Sequence, residues 1–272
     1  MIKEFLQEAL KEDIGRGDLF APLAKSKRAT AKIVSKSRGV LAGILYLKEL
    51  CLLQDITLEV IKNDGETLEE KDVIATLNGN IATLLSSERV ALNILQHASG
   101  IATNTAKYVE ILGDSKIKLL DTRKTRPLLR ALEKYAVRVG GGVNHRMGLD
   151  DSLMIKDTHL ATIDNLEEFV KKARKSIPFT SKIECECESV EMAKNALEAG
   201  VDIIMCDNMQ PQDIKGVIAL KDAINKNTLI EVSGNVTLDT LPQLASLKID
   251  AISSGSLIHQ ATWLDMSMRI DR

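Results

Sequence analysis

The sequence predicts an α/β protein in which an incomplete or distorted parallel α/β barrel follows a smaller α+β domain. From Lys116 onward, short apolar segments alternate with segments of helical periodicity, and repeated βα units form parallel sheets with right-handed crossovers. Six such strands can be counted, fewer than a complete barrel has. Before Lys116, strand-like segments flank the turn at Asn63-Asp64-Gly65, as in an antiparallel hairpin.

This change of pattern divides the chain into three predicted regions. Residues 1–105 form an N-terminal α+β sandwich domain, residues 106–258 form the α/β barrel that carries the chemistry, and residues 259–272 form a C-terminal helix. The helix is predicted because Leu264 and Met268 are four residues apart and therefore share one helical face. We expect it to pack back on the protein, with the first domain as the candidate surface.

In the first region, apolar residues at helical spacing predict helices, and alternating residues predict strands. The predicted helices cover 2–12, 44–53, 82–97 and 101–112, and the strands cover 29–35, 56–61 and 72–77. In the third helix, Arg89, Asn93 and Gln96 form a polar stripe. Taken alone, such a stripe is typical of a solvent-exposed face.

The barrel region is predicted from apolar strands that alternate with helical segments. The strands lie near 118–121, 152–155, 181–187, 201–206, 228–232 and 249–253. Helical spacing follows at 165–175, 189–199 and 213–225. Another helix follows the first strand, where Pro127 suits the first helical position and Gly140-Gly141-Gly142 ends the helix.

Composition excludes several classes of function. Aromatic residues make up 3% of the 272 residues and the net charge is −2, so we expect no binding to nucleic acid. No apolar segment approaches the roughly 20 residues of a membrane span, and the N-terminus has the pattern of a charged amphipathic helix. Four cysteines in apolar segments fit a reducing cytoplasm and lack a zinc-site pattern.

A cationic stretch lies in the middle of this acidic chain. From Asp121 to His159 there are eight Lys or Arg and five Asp or Glu, a balance of +3, so the remainder carries −5. Clustered like charges repel unless something neutralises them, which predicts a small and multiply anionic ligand. The candidate side chains are Arg123, Lys124, His145, Arg146, Lys156 and His159.

The positions of these residues favour a site over a solvated helix face. Arg123 and Lys124 directly follow one predicted strand, and Lys156 directly follows another. The carboxyl ends of parallel strands are where α/β barrels and open α/β sheets carry their chemistry. The remaining basic residues lie largely in glycine-rich loops, whereas a solvated charge run lies on one face of a helix.

Carboxylates are predicted at the same edge of the barrel. Side chains alternate along the strand 181–187, so Glu184 and Glu186 point one way while the neighbouring cysteines point the other. Asp207 follows the next apolar strand. Carboxylates beside a basic cluster suit Mg²⁺ ligands or stabilisation of a cationic transition state, and ion pairs with Lys156 or Arg146 are the alternative.

Two serine-glycine loops follow the last two predicted strands. In barrels, these loops often bind phosphate through backbone N–H groups, and glycine allows the backbone to approach the oxygens closely. The candidate phosphate-binding residues are Ser233, Gly234, Asn235, Ser254 and Gly255.

Four motifs in this order resemble the quinolinate phosphoribosyltransferase family. They are D-T-R-K-T-x-P from Asp121, L-E-K-Y-A-V from Leu132, G-G-G-x-N-H-R-x-G-L from Gly140 and I-K-D-x-H from Ile155. The resemblance covers essentially the whole chain and continues through the segments 184–186, 207–209, 233–235 and 253–255.

The chain departs from the family pattern at three positions. Arg126 and Leu128 stand where Thr and Gly are expected, and Thr158 stands where Asn is expected. Arg126 adds a charge near the predicted site, so the departures bear on fine substrate preference.

The resemblance implies a pentosyltransferase that acts in NAD biosynthesis. The phosphoribosyl group passes from phosphoribosyl pyrophosphate to quinolinate, and nicotinate mononucleotide, pyrophosphate and CO₂ are formed. It also implies Mg²⁺, bound mainly with phosphoribosyl pyrophosphate, and a homodimer or higher oligomer. In the family, the arginine that Arg89 matches reaches the active site of a neighbouring subunit.

The resemblance and the residue chemistry together assign roles. A guanidinium binds a carboxylate through two parallel hydrogen bonds, so the quinolinate carboxylates are assigned to Arg89, Arg123 and Arg146. Thr122, His145 and His159 support substrate binding, and Lys124 and Lys156 contact carboxylate or phosphate oxygens. The catalytic residues are Lys124, Lys156, Glu186 and Asp207, and Glu186 and Asp207 are also the metal ligands.

Three alternatives remain open on the sequence. The nearest is a related pyrophosphorylase-like enzyme of the molybdenum-transport-associated type, which has the same architecture. A Schiff-base lyase barrel would use Lys156, since a lysine at a strand end suits that chemistry. A carboxylate-binding module without catalysis would bind the ligand but not convert it.

Overall fold

The computed structural model describes residues 2–24 and 27–270, and the chain divides into two compact units. Unit 1 takes the described residues of Met1–Ala106, Ala131–Gly141 and Gln260–Arg272. Unit 2 takes Lys107–Arg130 and Gly142–His259. No helix among the described residues is long and apolar enough to span a membrane.

The described residues contain helices and strands in both units. The α-helices are α1 Ile2–Ile14, α2 Ile44–Leu53, α3 Ile81–Leu112, α4 Arg130–Val139, α5 Asp157–Leu160, α6 Leu166–Ser176, α7 Val190–Ala199, α8 Pro211–Ile224, α9 Leu241–Ala245 and α10 Ser256–His259. The strands are β1 Arg28–Ser35, β2 Gly39–Val40, β3 Thr57–Val60, β4 Thr67–Leu68, β5 Val73–Asn80, β6 Lys118–Leu120, β7 Leu153–Ile155, β8 Ile183–Cys187, β9 Ile203–Asp207, β10 Leu229–Ser233, β11 Ala251–Ser253 and β12 Met266–Ile270.

Unit 1 contains an antiparallel sheet of four strands in the order β12-β1-β5-β3. Alternate residues of β1, such as Ala31 and Ile33, are fully buried, which is the pattern of a sheet with one face on the core. On α2, the ring of Tyr46 is buried and meets Phe5 of α1 edge to face, with 6.1 Å between ring centroids.

The predicted C-terminal helix is wrong, because this segment forms the strand β12. It pairs antiparallel with β1 in a register that joins Ala31 to Ile270 and Val34 to Ser267. Without β12, β1 would be an edge strand with unpaired backbone groups. Completing that hydrogen-bond ladder outweighs the weak helical signal of two apolar residues four positions apart.

The two helices predicted at 82–97 and 101–112 form one continuous helix, α3. Gly100 lies between the two predicted helices, and glycine lowers helix propensity. In the structure, a Cβ on Gly100 would overlap the backbone of Thr262 and lie 3.1 Å from Cα of Trp263. The glycine therefore permits a close approach of the C-terminal segment and does not interrupt the helix.

Unit 2 contains a parallel sheet of six strands in the order β6-β11-β10-β9-β8-β7. All six predicted barrel strands are confirmed, with small shifts at their ends. All five residues of β8 are buried, as expected for a parallel strand covered on both faces. Among the described residues β6 and β7 form the edges of the sheet, and this agrees with the incomplete barrel that the sequence predicts.

The helix α4 begins at Arg130, so Pro127 is not its first residue as predicted. Leu128 has a φ of 65°, which is incompatible with a right-handed helix, and its side chain is 96% exposed. This is the position where the family resemblance led us to expect glycine, which adopts such a φ without strain. The leucine therefore keeps the turn at a local energetic cost.

Gly140 offers a test of the packing in unit 1. A Cβ at this position would lie 2.5 Å from the carbonyl oxygen of Ala102 and 2.7 Å from Cβ of Thr105, both on α3. We expect Gly140→Ala to lower the free energy of unfolding by about 1–3 kcal/mol, the usual cost of overpacking. Denaturant titration measures this value.

Gly216→Ala on α8 is the matched control. Its Cβ would meet Val190 at 3.5 Å, an ordinary contact, and alanine is the better helix former. We expect this variant to be neutral or stabilised by up to about 1 kcal/mol. Equal stability of the Gly140→Ala protein and the unchanged protein would contradict the close packing.

Candidate active site

A cavity of about 280 Å³ opens at the carboxyl ends of the parallel strands in unit 2. The strands end in parallel at one edge of the sheet, so the residues that follow them converge, as the sequence predicts. The cavity is lined by Thr122, Arg123, Lys124, His145, Arg146, Met154, Lys156, Glu186, Met205, Asp207, Ser233 and Ser253. The two methionines and Ser253 were not among the predicted site residues.

Two arginines give the cavity its positive charge. Nε of Arg123 is buried and has no hydrogen-bond partner among the described residues. Arg146 donates to the carbonyl oxygen of Ser152 at 3.0 Å and to Sδ of Met154 at 3.4 Å. Burial lowers the pKa of the Arg146 guanidinium, and the nearby charge of Arg123 lowers it further. The arrangement therefore favours an anion that satisfies both groups.

Two carboxylates and a lysine also line this cavity. Lys156 forms an ion pair with Glu186, one of the alternatives that the sequence left open. Burial raises the pKa of Asp207, and the charge of Glu186 raises it further, while Lys156 and Lys124 act in the opposite direction. The carboxylates are thus close enough to repel each other, and a cation placed between them would be stabilised.

The loop after β10 is tied to the end of β9 by a chain of amide hydrogen bonds. Asn208 donates from Nδ2 to Asp207 at 2.9 Å and accepts from Nδ2 of Asn235 at 2.9 Å. Gly234 has a φ of 83°, and any Cβ there would overlap the side chain of Asn208. The predicted phosphate loop 233–235 is therefore held beside Asp207. Asn208 was missed as a site residue, although it belongs to a motif that carries the resemblance.

The second predicted phosphate loop is largely engaged within the protein. The hydroxyl groups of Ser254 and Ser256 are 2.6 Å apart, and Tyr108 lies 3.0 Å from Ser256. A Cβ on Gly255 would lie 2.9 Å from Cδ of Lys124, so this glycine leaves room for the lysine side chain. Of this loop and the strand before it, only Ser253 lines the cavity.

Two buried carboxylates form ion pairs with the ring of His145. Its Nε2 lies 3.3 Å from Glu184 and 3.3 Å from Glu231, whose side chains are 0% and 3% exposed. Burial alone would lower the pKa of His145, but the hydrogen bonds with Glu184 and Glu231 outweigh it and raise the pKa to about 10. The sequence signal for Glu231 was a charged residue inside an otherwise apolar strand.

The same three side chains could hold a metal ion by distance alone, because their ligand atoms lie within 4.8 Å of one another. However, Nε2 of His145 faces both Glu184 and Glu231 and carries a proton, which these two carboxylates stabilise. A protonated ring nitrogen has no lone pair for a metal ion, so ion pairing between His145 and the two carboxylates accounts for this cluster.

Two predicted substrate-binding residues are absent from the residues that line the cavity. His159 is exposed on α5, and its Nδ1 accepts the backbone N–H of Lys156 at 3.0 Å. It therefore orients the start of that helix. Arg89 is exposed on α3 in unit 1.

Comparison with known proteins identifies similar sequences along almost the entire chain. Residues 18–99 match the description "Quinolinate phosphoribosyl transferase, N-terminal domain", and residues 101–269 match "Quinolinate phosphoribosyl transferase, C-terminal domain". A Bacillus subtilis protein named probable nicotinate-nucleotide pyrophosphorylase [carboxylating] is 44% identical over 99% of this chain and 93% of its own length. A Synechocystis protein of the same name is 42% identical over 100% of this chain and 93% of its own length.

Solved structures show the same similarity. The crystal structure of NadC from Streptococcus pyogenes superimposes with a TM-score of 0.93 at 43% identity, covering 99% of this chain and 96% of that one. The nicotinate-nucleotide pyrophosphorylase of Francisella tularensis superimposes with a TM-score of 0.90 at 33% identity, covering 99% and 96% of the two chains.

Proposed function

Because the chain belongs to the quinolinate phosphoribosyltransferase family, we propose that the cavity of unit 2 is its active site. The chain is an enzyme of the pentosyltransferase class. It transfers the phosphoribosyl group of phosphoribosyl pyrophosphate to quinolinate with decarboxylation. The observation that carries the assignment of the site is the meeting of Arg123, Arg146, Lys124 and Lys156 around one cavity with two carboxylates at its side.

In this proposal, the arginine side of the cavity binds quinolinate. Quinolinate carries two adjacent carboxylates, and a guanidinium binds a carboxylate through two parallel hydrogen bonds. Arg123 has a buried Nε without a partner among the described residues, so a carboxylate would satisfy it. Arg146 supplies the second fork, with Thr122 and His145 beside it.

The carboxylate side of the cavity would receive phosphoribosyl pyrophosphate. Ser233 lines the cavity, and the loop that it begins is fixed by Asn208, so its backbone N–H groups are available to phosphate oxygens. Lys124 and Lys156 supply positive charge for the phosphate or carboxylate oxygens. Ser253 adds a hydroxyl from the neighbouring strand end.

Mg²⁺ is the proposed cofactor, bound mainly with phosphoribosyl pyrophosphate. Glu186 and Asp207 lie near the carboxyl ends of neighbouring strands, and carboxylate oxygens are the ligands that Mg²⁺ prefers. The raised pKa of Asp207, caused by burial and then by Glu186, supports this fit, because a cation there would relieve the repulsion. When bound, the ion would neutralise charge on the departing pyrophosphate.

The residues of the chain then act on the two reacting centres. As the bond from ribose C1 to pyrophosphate breaks, C1 gains positive charge, which Glu186 and Asp207 stabilise. The ring nitrogen of quinolinate forms the new bond to C1 and becomes a pyridinium. When CO₂ leaves the adjacent carbon, the electron pair of the broken bond stays on that carbon, where the neighbouring pyridinium charge stabilises it, and the carbon then takes up a proton.

The Schiff-base lyase alternative is not favoured by this site. A Schiff-base lysine needs a neutral amine, usually beside an apolar wall or a second cation. Lys156 instead forms an ion pair with Glu186. The arginines and the serine-glycine loops would also have no role in such a reaction.

A homodimer with shared active sites is a further part of the proposal. Arg89 is exposed on α3 and matches the family arginine that reaches the site of a second subunit. The guanidinium of this arginine from a second subunit would add a further hydrogen-bonded contact to a quinolinate carboxylate. A cytoplasmic location is also proposed, and it is supported by four free cysteines that are all buried.

The proposed binding of the quinolinate carboxylates by Arg123 and Arg146 predicts a selective loss of quinolinate affinity. We expect Arg123→Ala and Arg146→Ala each to weaken quinolinate binding at least about tenfold, since a lost charged hydrogen bond costs about 1.5–3 kcal/mol. Binding of phosphoribosyl pyrophosphate should change far less. Calorimetric titration of each substrate measures both values, and release of CO₂ from carboxyl-labelled quinolinate reports the reaction.

The control is Arg174→Ala, which removes an exposed arginine of α6 in the same unit. It should bind both substrates as the unchanged protein does. If the Arg123→Ala and Arg146→Ala proteins fold and bind quinolinate as tightly as the unchanged protein, the two arginines do not bind its carboxylates.

The metal proposal predicts that the reaction requires Mg²⁺. We expect Asp207→Ala to raise the Mg²⁺ concentration needed for half-maximal rate, because one carboxylate ligand is lost. Asp213→Ala changes an exposed carboxylate in the first turn of α8 and should leave that concentration unchanged. Full activity in excess EDTA would contradict the proposed Mg²⁺ requirement.

The shared-site proposal predicts complementation between two inactive variants. Arg89→Ala and Arg123→Ala should each be nearly inactive, and mixing them should restore activity as subunits exchange. About half of the dimers are then mixed, and each has one intact site, so recovery should approach about a quarter of the original activity. If mass spectrometry shows mixed dimers and activity stays absent, Arg89 does not complete a partner's site.

A further inference from the structure

The two cavity arginines are carried by two different loops. Arg123 lies in the loop 121–129, which follows β6, and Arg146 lies in the loop 142–152, which precedes β7. Apart from one parallel bridge between Leu120 and Val143, neither loop forms strand pairing. Such loops are held in place mainly by specific hydrogen bonds, because regular structure does not fix them.

Asp121 joins the two loops at one end. Its side chain is completely buried, and it follows directly after β6. One carboxylate oxygen accepts the backbone N–H of His145 at 2.9 Å, and the other accepts Nδ2 of Asn144 at 2.6 Å. The residue before Arg146 is therefore fixed to the start of the loop that carries Arg123.

Arg130 joins the same two loops at the other end. Its Nε donates to the hydroxyl of Thr125 at 3.2 Å, within the first loop. Its NH1 donates to the carbonyl oxygen of Met147 at 2.8 Å, within the second loop. A single planar guanidinium thus links the residue two positions after Arg123 to the residue directly after Arg146.

We propose that Asp121 and Arg130 are positioning residues that set the separation of the Arg123 and Arg146 guanidinium groups, and that this separation selects a ring with two adjacent carboxylates. The inference rests on the proposed binding of quinolinate at this site. It assigns the preference for a dicarboxylate to residues outside the cavity lining.

The physical reason is the short range of the forked hydrogen bond. A guanidinium binds a carboxylate well only in a narrow range of distance and angle, so two forks can act on one rigid ring only at a fixed spacing. A monocarboxylate needs a single fork and tolerates movement of the other arginine. Loosening the link between the loops should therefore weaken binding of the dicarboxylate more than binding of the monocarboxylate.

Arg130→Met tests this role, because it removes both hydrogen bonds and keeps the apolar stem. We expect the dissociation constant for pyridine-2,3-dicarboxylate to rise about tenfold and that for pyridine-2-carboxylate to rise less than about threefold. The selectivity ratio should therefore fall. Arg130→Lys should recover part of the ratio, since the ammonium group keeps N–H donors but lacks the planar fork that reaches both acceptors.

Arg174→Met is the matched control for this substitution. Arg174 also makes two hydrogen bonds, to the carbonyl oxygen of Gly200 and to Asp202, each at 2.9 Å. Asp202 directly precedes β9, so this link lies at the opposite ends of the strands. Arg174→Met should keep the selectivity ratio, and thermal unfolding of the two variants compares their stability.

Thr125→Val provides a second variant if Arg130→Met fails to fold. It removes one acceptor of the link, and we expect a fall of about threefold in the selectivity ratio. A folded variant whose ratio equals that of the unchanged protein, or equal weakening of both acids, would overturn the positioning role. If the unchanged protein releases no CO₂ from quinolinate, the proposed function fails and the inference fails with it. If it does release CO₂ while the variants keep its ratio, the inference alone fails.

Discussion

The close approach of two positive charges, those of Arg123 and Arg146, is the constraint that shapes the catalytic unit. Burial and the charge of Arg123 both lower the pKa of Arg146, so the protein holds these groups together against repulsion. Hydrogen bonds to the carbonyl oxygen of Ser152 and the sulfur of Met154 hold Arg146, and the nearby charge of Glu184 partly offsets the repulsion. In the proposed binding of quinolinate, the carboxylates of the substrate would relieve this repulsion between the two arginines.

The carboxylates that line the cavity contribute negative charge. In the proposed reaction, Glu186 and Asp207 would place negative charge where the leaving group departs, and Lys156 balances Glu186 in an ion pair. The cavity therefore combines cationic side chains with carboxylates, which suits the proposed reaction of an anionic ring with an activated sugar.

Much of the fold and of the site could be predicted from local pattern. The six barrel strands follow from apolar segments, and the strand-end rule placed Arg123, Lys156 and Asp207 at one edge. The prediction failed where distant partners decide the outcome. The C-terminal segment forms a strand because β1 offers an unpaired edge, and Gly100 allows a distant backbone segment to approach α3 without ending the helix. Neither fact is visible within a window of neighbouring residues.

The sequence by itself determined the chemistry of the cavity and the order of its elements, because residue type and strand periodicity are local properties. The tertiary structure alone decided which side chains serve indirectly. His159 accepts a hydrogen bond at the start of α5, and Glu231 forms an ion pair with His145. Arg130 forms hydrogen bonds with both of the loops that carry the cavity arginines. These roles depend on distances between segments that the chain order does not specify, and hydrogen bonds of about 3 Å exist only once folding has set those distances.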